Sequence, residues 1–143
     1  MQKILILNGP NLNLVGKREP AIYGTTSFLE FYVELKSHFT SVNVDYVQSN
    51  HEGVLIDHLH EWGFEKEAGI VLNAGAYTHT SIALADAVKA IETPVVEVHI
   101  SNIQEREDFR KHSYLTEVSA HHIIGKGLPG YKEAIEWLIT QRS

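Results

Sequence analysis

Arg18 and Tyr23 stand close together in a stretch, residues 7–24, that also carries the amides Asn8, Asn11 and Asn13. A phenol in water has a pKa of about 10, so using one as a base near neutrality asks for roughly three units, about 4 kcal/mol. One arginine within hydrogen-bonding range supplies roughly 1–3 units. Arg18 alone is therefore marginal, and Arg18 together with Arg110 is enough. A second set, Glu97, His99 and Ser101, alternates along an apolar run and shares one side of it. Polar side chains on a buried strand are costly unless they satisfy one another or a ligand. A carboxylate beside an imidazole also fixes its tautomer and raises its basicity. A satisfied core histidine is the plainer account of the same pattern. A third stretch adds Asn73 and His79. With no cysteine, no G-x-S-x-G elbow and no plausible metal cluster, these groups point to acid–base chemistry on a hydroxylated small molecule.

The elements that must hold these groups alternate along the chain. Periodicity predicts strands over residues 3–7, 43–48, 70–72, 95–100 and 122–124. Helices are predicted over 28–39, 54–62, 81–91 and 131–140, with Ser27 and Glu30 at capping-box spacing. The segment 102–114 is charged and expected to be helical in its middle. Between the first strand and first helix, residues 7–24 hold three glycines and two prolines, which predicts a long loop without regular structure. Loops of that length are usually functional, and this one is expected to close as a lid. Alternating strands and helices imply an α/β fold with a five-stranded parallel sheet between helical layers. Right-handed crossovers favour the flavodoxin-like order 2-1-3-4-5, in which ligands bind beyond the carboxyl ends of strands 1, 3 and 4. The loops after Leu7, Leu72 and Ile100 are therefore the ones to read.

At 143 residues, with 43% apolar and 21% charged side chains, the chain is expected to form one domain over 1–143. A net charge of −6 argues against a nucleic-acid partner. No apolar run approaches the roughly 20 residues of a membrane span. Met1 leads straight into a strand-like run, without the features of a secretory signal, so a cytoplasmic location is expected.

Four motifs in order carry a specific resemblance. They are Asn8-Gly9-Pro10-Asn11-Leu12 with Gly16-Lys17-Arg18-Glu19-Pro20 and Ile22-Tyr23-Gly24; Gln48-Ser49-Asn50-His51-Glu52-Gly53; Asn73-Ala74-Gly75-Ala76-Tyr77-Thr78-His79-Thr80-Ser81; and Val96-Glu97-Val98-His99-Ile100-Ser101-Asn102. Together they resemble type II 3-dehydroquinate dehydratase over nearly the whole chain. The resemblance implies a flavodoxin-like fold, no cofactor, and anti elimination of water from 3-dehydroquinate to give 3-dehydroshikimate. It implies that Tyr23 removes the proton alpha to the ketone, assisted by Arg18. Asn11 would stabilise the enolate through a water, and His99 would protonate the leaving hydroxyl. Asn73, His79, Ser101, the Ile100 backbone amide and Arg110 would bind substrate, with Glu97 orienting His99. Asp86 would reach a neighbouring subunit's site in a homododecamer built from trimers.

Two positions depart from the family pattern: Val47 stands where an arginine is frequent, and Gln104 where a histidine is common. Duller readings also apply. His51 is expected to cap or order a turn, Tyr77 either to pack or to act, and Glu105 to Asp108 to form a solvated helical face. Composition is equally compatible with a non-catalytic binding module on the same fold.

Overall fold

The computed structural model of the chain describes residues 2–17, 21 and 25–141. Its first strand shows how the sheet is made. In β1 (Gln2–Asn8) Ile4 and Ile6 enter one apolar cluster while Leu5 and Leu7 enter another, so both faces are covered and the strand reads as a continuous apolar run. Four more strands follow: β2 (Val42–Gln48), β3 (Ala68–Asn73), β4 (Val95–His99) and β5 (His121–Ile124). All pair in parallel, in the order β2-β1-β3-β4-β5. The expected sheet is the observed one.

Helices α1 (Phe28–His38) and α4 (Pro129–Gln141) cover one face, contributing Phe28, Leu35, Tyr131, Ile135 and Leu138 to its core. Helices α2 (Glu52–Trp62) and α3 (Ile82–Ala90) cover the other with Leu55, Leu59, Leu84 and Val88. Fully burying one such leucine stabilises the fold by about 1.5–3 kcal/mol. Local chemistry agrees with these boundaries. The Ser27 Oγ accepts the Glu30 backbone N–H at 3.1 Å to start α1, and the Ser81 Oγ accepts that of Leu84 at 2.9 Å to start α3. Among the described residues, no helix is long and apolar enough to cross a membrane.

Two expectations need correction. The first loop is not wholly irregular: β1 continues through Asn8, and Leu12–Leu14 form a 3-10 turn. Leu12 and Val15 supply the reason, because both are buried in the core beneath α1. Residues 18–20 and 22–24 of that loop, including Arg18 and Tyr23, lie outside the described residues. The charged segment after β4 holds no α-helix but two 3-10 turns, Ile103–Glu105 and Asp108–Arg110. The Asn102 side chain accepts the Gln104 N–H at 3.0 Å, and Arg106 then takes an extended conformation that ends the first turn.

Candidate active site

Parallel pairing brings Asn8 and Asn73 level at the carboxyl ends of β1 and β3. Here the segments that leave the two strands pass within touching distance. A Cβ on Gly9 would collide with the Ala74 carbonyl, and Gly75 takes a φ of +60° that favours glycine. Tyr131 reaches this point from α4. Its hydroxyl donates to Asn8 Oδ1 at 2.8 Å and accepts from Asn73 Nδ2 at 2.9 Å. The Asn73 Oδ1 in turn accepts the Gly75 N–H at 3.1 Å. The amide is held at both ends, leaving one N–H and one oxygen lone pair for a ligand.

Asn11 sits opposite, on the pocket wall, with a φ of 67°. A left-handed residue costs roughly 1–2 kcal/mol, and asparagine tolerates it best after glycine. The β2–α2 loop holds it there. Asn50 Oδ1 accepts the Asn11 backbone N–H at 3.0 Å and the Gln48 Nε2 at 3.1 Å, while the Tyr77 hydroxyl donates to the Asn50 carbonyl at 3.0 Å. Tyr77 thus braces the loop from outside the pocket. His51 stands at the N-cap of α2 without a side-chain capping bond; its backbone N–H donates to Ser49 Oγ instead.

The end of β4 forms the ionic part. Glu97 is 0% and His99 5% exposed, and His99 Nε2 lies 2.6 Å from Glu97 Oε2. Both project to the same side of the strand, as their alternation requires. Ser113 Oγ donates to Glu97 Oε2, and Thr116 Oγ1 donates to Oε1 at 2.6 Å. Burial alone would push the Glu97 carboxyl up, but the hydrogen bond and charge of His99, with the two hydroxyls, hold it below the usual carboxylate value. A carboxylate only accepts, so His99 Nε2 carries the proton and Nδ1 is the nitrogen left to a ligand.

His99 opens into a pocket lined also by Asn11, Asn73, His79, Ile100, Ser101, Arg106 and Arg110. His79, in the 3-10 turn Gly75–His79, places Nδ1 at 2.7 Å from the His112 carbonyl. Its pKa is lowered: burial is the main cause, and the charges of His99 and Arg110 add to it against the carbonyl and Glu97. Arg110 Nε donates to Glu107 Oε2 at 2.5 Å, and Arg106 Nη1 donates to Ser101 Oγ at 3.1 Å.

Of the residues singled out from the sequence, Asn11, Asn73, His79, His99, Ile100, Ser101 and Arg110 line this one pocket, with Glu97 directly behind His99. Asp86 does not line it and lies on the exposed face of α3. Arg106 is a correction. Read as part of a solvated face, its side chain is only 13% exposed and lines the pocket. The extended backbone at Arg106 is what turns it inward. Ser113, Thr116, Asn50 and Tyr131 were not singled out as site supports either. Val47 packs against the core beneath α2 and α3, and Gln104 donates from Nε2 to the Lys111 carbonyl at 3.0 Å; neither lines the pocket. Among the described residues, no cluster of three or more His, Asp or Glu side chains is placed to hold a metal ion.

The pocket therefore combines a carboxylate-backed imidazole, two guanidinium groups and the fixed Asn73 amide. That set suits an anionic, hydroxylated ligand and proton transfer to it. The chain is 50% identical to a 3-dehydroquinate dehydratase of Marinomonas sp., over 97% of each chain. It is also 50% identical to a catabolic 3-dehydroquinase 2 of Aspergillus flavus, over 95% of this chain and 91% of that one. The crystal structure of a type II dehydroquinase from Butyrivibrio crossotus superposes with a TM-score of 0.92 at 44% identity, covering 96% of this chain and 97% of that one. The model of the family described as dehydroquinase class II matches residues 2–139, and the chain belongs to that family.

Proposed function

We infer that this chain removes water from 3-dehydroquinate to give 3-dehydroshikimate, by anti elimination through an enolate. The observation that carries the reading is the buried Glu97–His99 pair opening into a pocket that also presents Arg106, Arg110 and the fixed Asn73 amide. The steps follow from the chemistry. Tyr23, its phenolate favoured by Arg18, takes the proton alpha to the ketone, and the electron pair moves onto the carbonyl oxygen. Asn11 stabilises that developing oxyanion through a water, the kind of interaction that is often the largest catalytic term. His99 takes a second proton from solvent at Nδ1 while its Nε2–H stays on Glu97. As the enolate collapses, the C–O bond to the tertiary hydroxyl breaks and His99 delivers that Nδ1 proton to the departing oxygen, returning to its neutral Nε2–H form. Water leaves, and a double bond conjugated with the ketone remains. Asn73, His79, Ser101, the Ile100 amide and Arg110 hold the hydroxyls and carboxylate of the substrate, and Arg106 joins them from beside Ser101.

The test is direct. Incubated with 3-dehydroquinate, the protein is expected to produce the ultraviolet absorbance of a conjugated enone. Well-folded protein giving no signal would overturn the reading in favour of a binding module. Tyr23→Phe is expected to abolish turnover while preserving folding; near wild-type rates would place the base elsewhere.

The same reading includes a homododecamer built from trimers, with Asp86 reaching the neighbouring subunit's site. Its support is the exposure of Asp86 beside Ile82, itself 59% exposed on α3. Light scattering on the eluting protein tests it, and a monomer at micromolar concentration would overturn it.

A further inference from the structure

Residues 112–116 touch the site from behind at three points. The His112 carbonyl faces His79 Nδ1 at 2.7 Å, and the Ser113 and Thr116 hydroxyls take one oxygen each of the buried Glu97 carboxylate. The segment is itself fixed. Leu115 is 0% exposed in the core beneath α2 and α3, its N–H donates to Ser113 Oγ at 3.1 Å, and the Tyr114 N–H donates to the Thr78 carbonyl at 3.0 Å. We propose that residues 112–116 are a positioning strap that decides which ring nitrogen of each pocket histidine carries the permanent proton. His79 is set by the His112 carbonyl, and His99 by Ser113 and Thr116 acting through Glu97.

The available donors and acceptors set both tautomers. A carbonyl oxygen can only accept, so His79 must present Nδ1–H to His112 and keep Nε2 for the pocket. Ser113 Oγ already accepts the Leu115 N–H, which leaves its single proton for Glu97. Thr116 Oγ1 supplies a further donor at 2.6 Å, so the carboxylate takes three, counting His99. A carboxylate with that many donors stays ionised even when buried. Ionised, it has no proton to offer His99, so Nε2–H is the fixed bond and exchange takes place at Nδ1. Remove a hydroxyl and the buried carboxylate becomes the better base. Protonated, it would free the imidazole to change tautomer. The other charged groups facing this pair are His79 from the turn after β3 and Arg106 and Arg110 from the β4–β5 connection; His122 is the register neighbour of Glu97 on β5.

The consequence for turnover rests on the elimination reading above; the tautomers do not. Two-bond nitrogen–proton correlation spectra of the full-length 15N-labelled protein, without substrate, are expected to show His99 in its Nε2–H form and His79 in its Nδ1–H form. The opposite form at either ring would overturn the proposal, whether or not the protein dehydrates 3-dehydroquinate. Thr116→Val and Ser113→Ala are each expected to lower kcat by about tenfold. KM should stay within about twofold, because the lost contacts do not touch substrate. The acid limb of the kcat profile should move to higher pH, since the variants leave Glu97 easier to protonate, and Thr116→Ser should restore both readouts. A fall in kcat with the acid limb unmoved, or folded variants with wild-type kcat, would overturn the strap. Should Ser113→Ala fail to fold, Thr116→Val and the wild-type spectrum still decide.

Discussion

The two sides of the pocket solve the same problem with different chemistry. On the β1–β3 side Asn8, Tyr131, Asn73, Asn50 and Asn11 hold one another through neutral amides and hydroxyls. On the other side Glu97 and His99 on β4 gather charge with His79, Arg106 and Arg110, and the bonds that support His99 end on a carboxylate. Neutral dipoles do not change between pH 5 and 8, so the first side keeps one shape for a ligand. The second side carries an imidazole backed by a carboxylate, the kind of group that moving a proton requires. On the proposed elimination, positioning and proton transfer fall on different sides of the pocket, and substitutions should divide the same way.

The largest effect is expected on the ionic side. His99→Ala should lower kcat by about 10²–10⁴. Initial rates by enone absorbance measure it, and a loss below about tenfold would place the acid elsewhere. The thermal unfolding midpoint should fall as well, since His99 gives the buried Glu97 carboxylate its main hydrogen bond and charge and the variant leaves it only the Ser113 and Thr116 donors. Rates are therefore compared at a temperature where both proteins are folded.

On the neutral side Tyr131→Phe should act on stability and KM rather than on the pH profile. It removes the donor to Asn8 Oδ1 and the acceptor for Asn73 Nδ2 inside a fully buried cluster. Stranding such groups costs about 1–3 kcal/mol, readable as a lower urea midpoint. The freed Asn73 amide should raise KM. A shifted pH–rate profile in Tyr131→Phe would break the division between the two sides.

How far the sequence revealed this follows from the same division. The strands β1, β3 and β4 were legible because they are buried on both faces, which leaves apolar runs in the sequence, and their order followed from right-handed crossovers. Glu97 and His99 were legible because polar residues interrupt one such run. Arg106 was not: amid Glu105, Glu107 and Asp108 it reads as helix surface, and only the extended backbone after the Asn102 turn sends it inward. Ser113 and Thr116 were invisible because lone hydroxyls carry no period. The available signal was indirect, since a carboxylate buried on β4 must find donors somewhere. Tyr131 was absorbed into the apolar face of α4, where its ring does pack, and its hydroxyl went uncounted.

Acid sensitivity separates the sides in another way. The Glu97 carboxyl is held below its usual value in the folded chain, so the unfolded chain binds more protons at low pH. Its stabilising contribution is complete above the unfolded-state value and is lost as pH falls through the lower folded one. The stability gap between wild type and Glu97→Gln, from urea midpoints, should therefore narrow on acidification through the carboxylate range. Tyr131→Phe, which removes no titrating carboxylate, should keep a constant gap there. Parallel curves for both variants would mean that Glu97 is not held ionised.

The smallest expected effect is the sharpest probe of the neutral side, at Asn50. This residue does not line the pocket, yet its Oδ1 accepts the N–H of left-handed Asn11 and the Gln48 amide. The bonds are exposed, so water can replace part of what Asn50→Ala removes, and the loss should be about 1 kcal/mol, roughly fivefold in kcat/KM. Asn50→Asp keeps an acceptor in the same place for both donors and should stay closer to wild type. If the acceptor is what positions Asn11, alanine must be worse than aspartate. If the two are equally impaired, the Tyr77 hydroxyl and the Asn50 carbonyl carry the brace instead, and Tyr77→Phe should then show the larger loss.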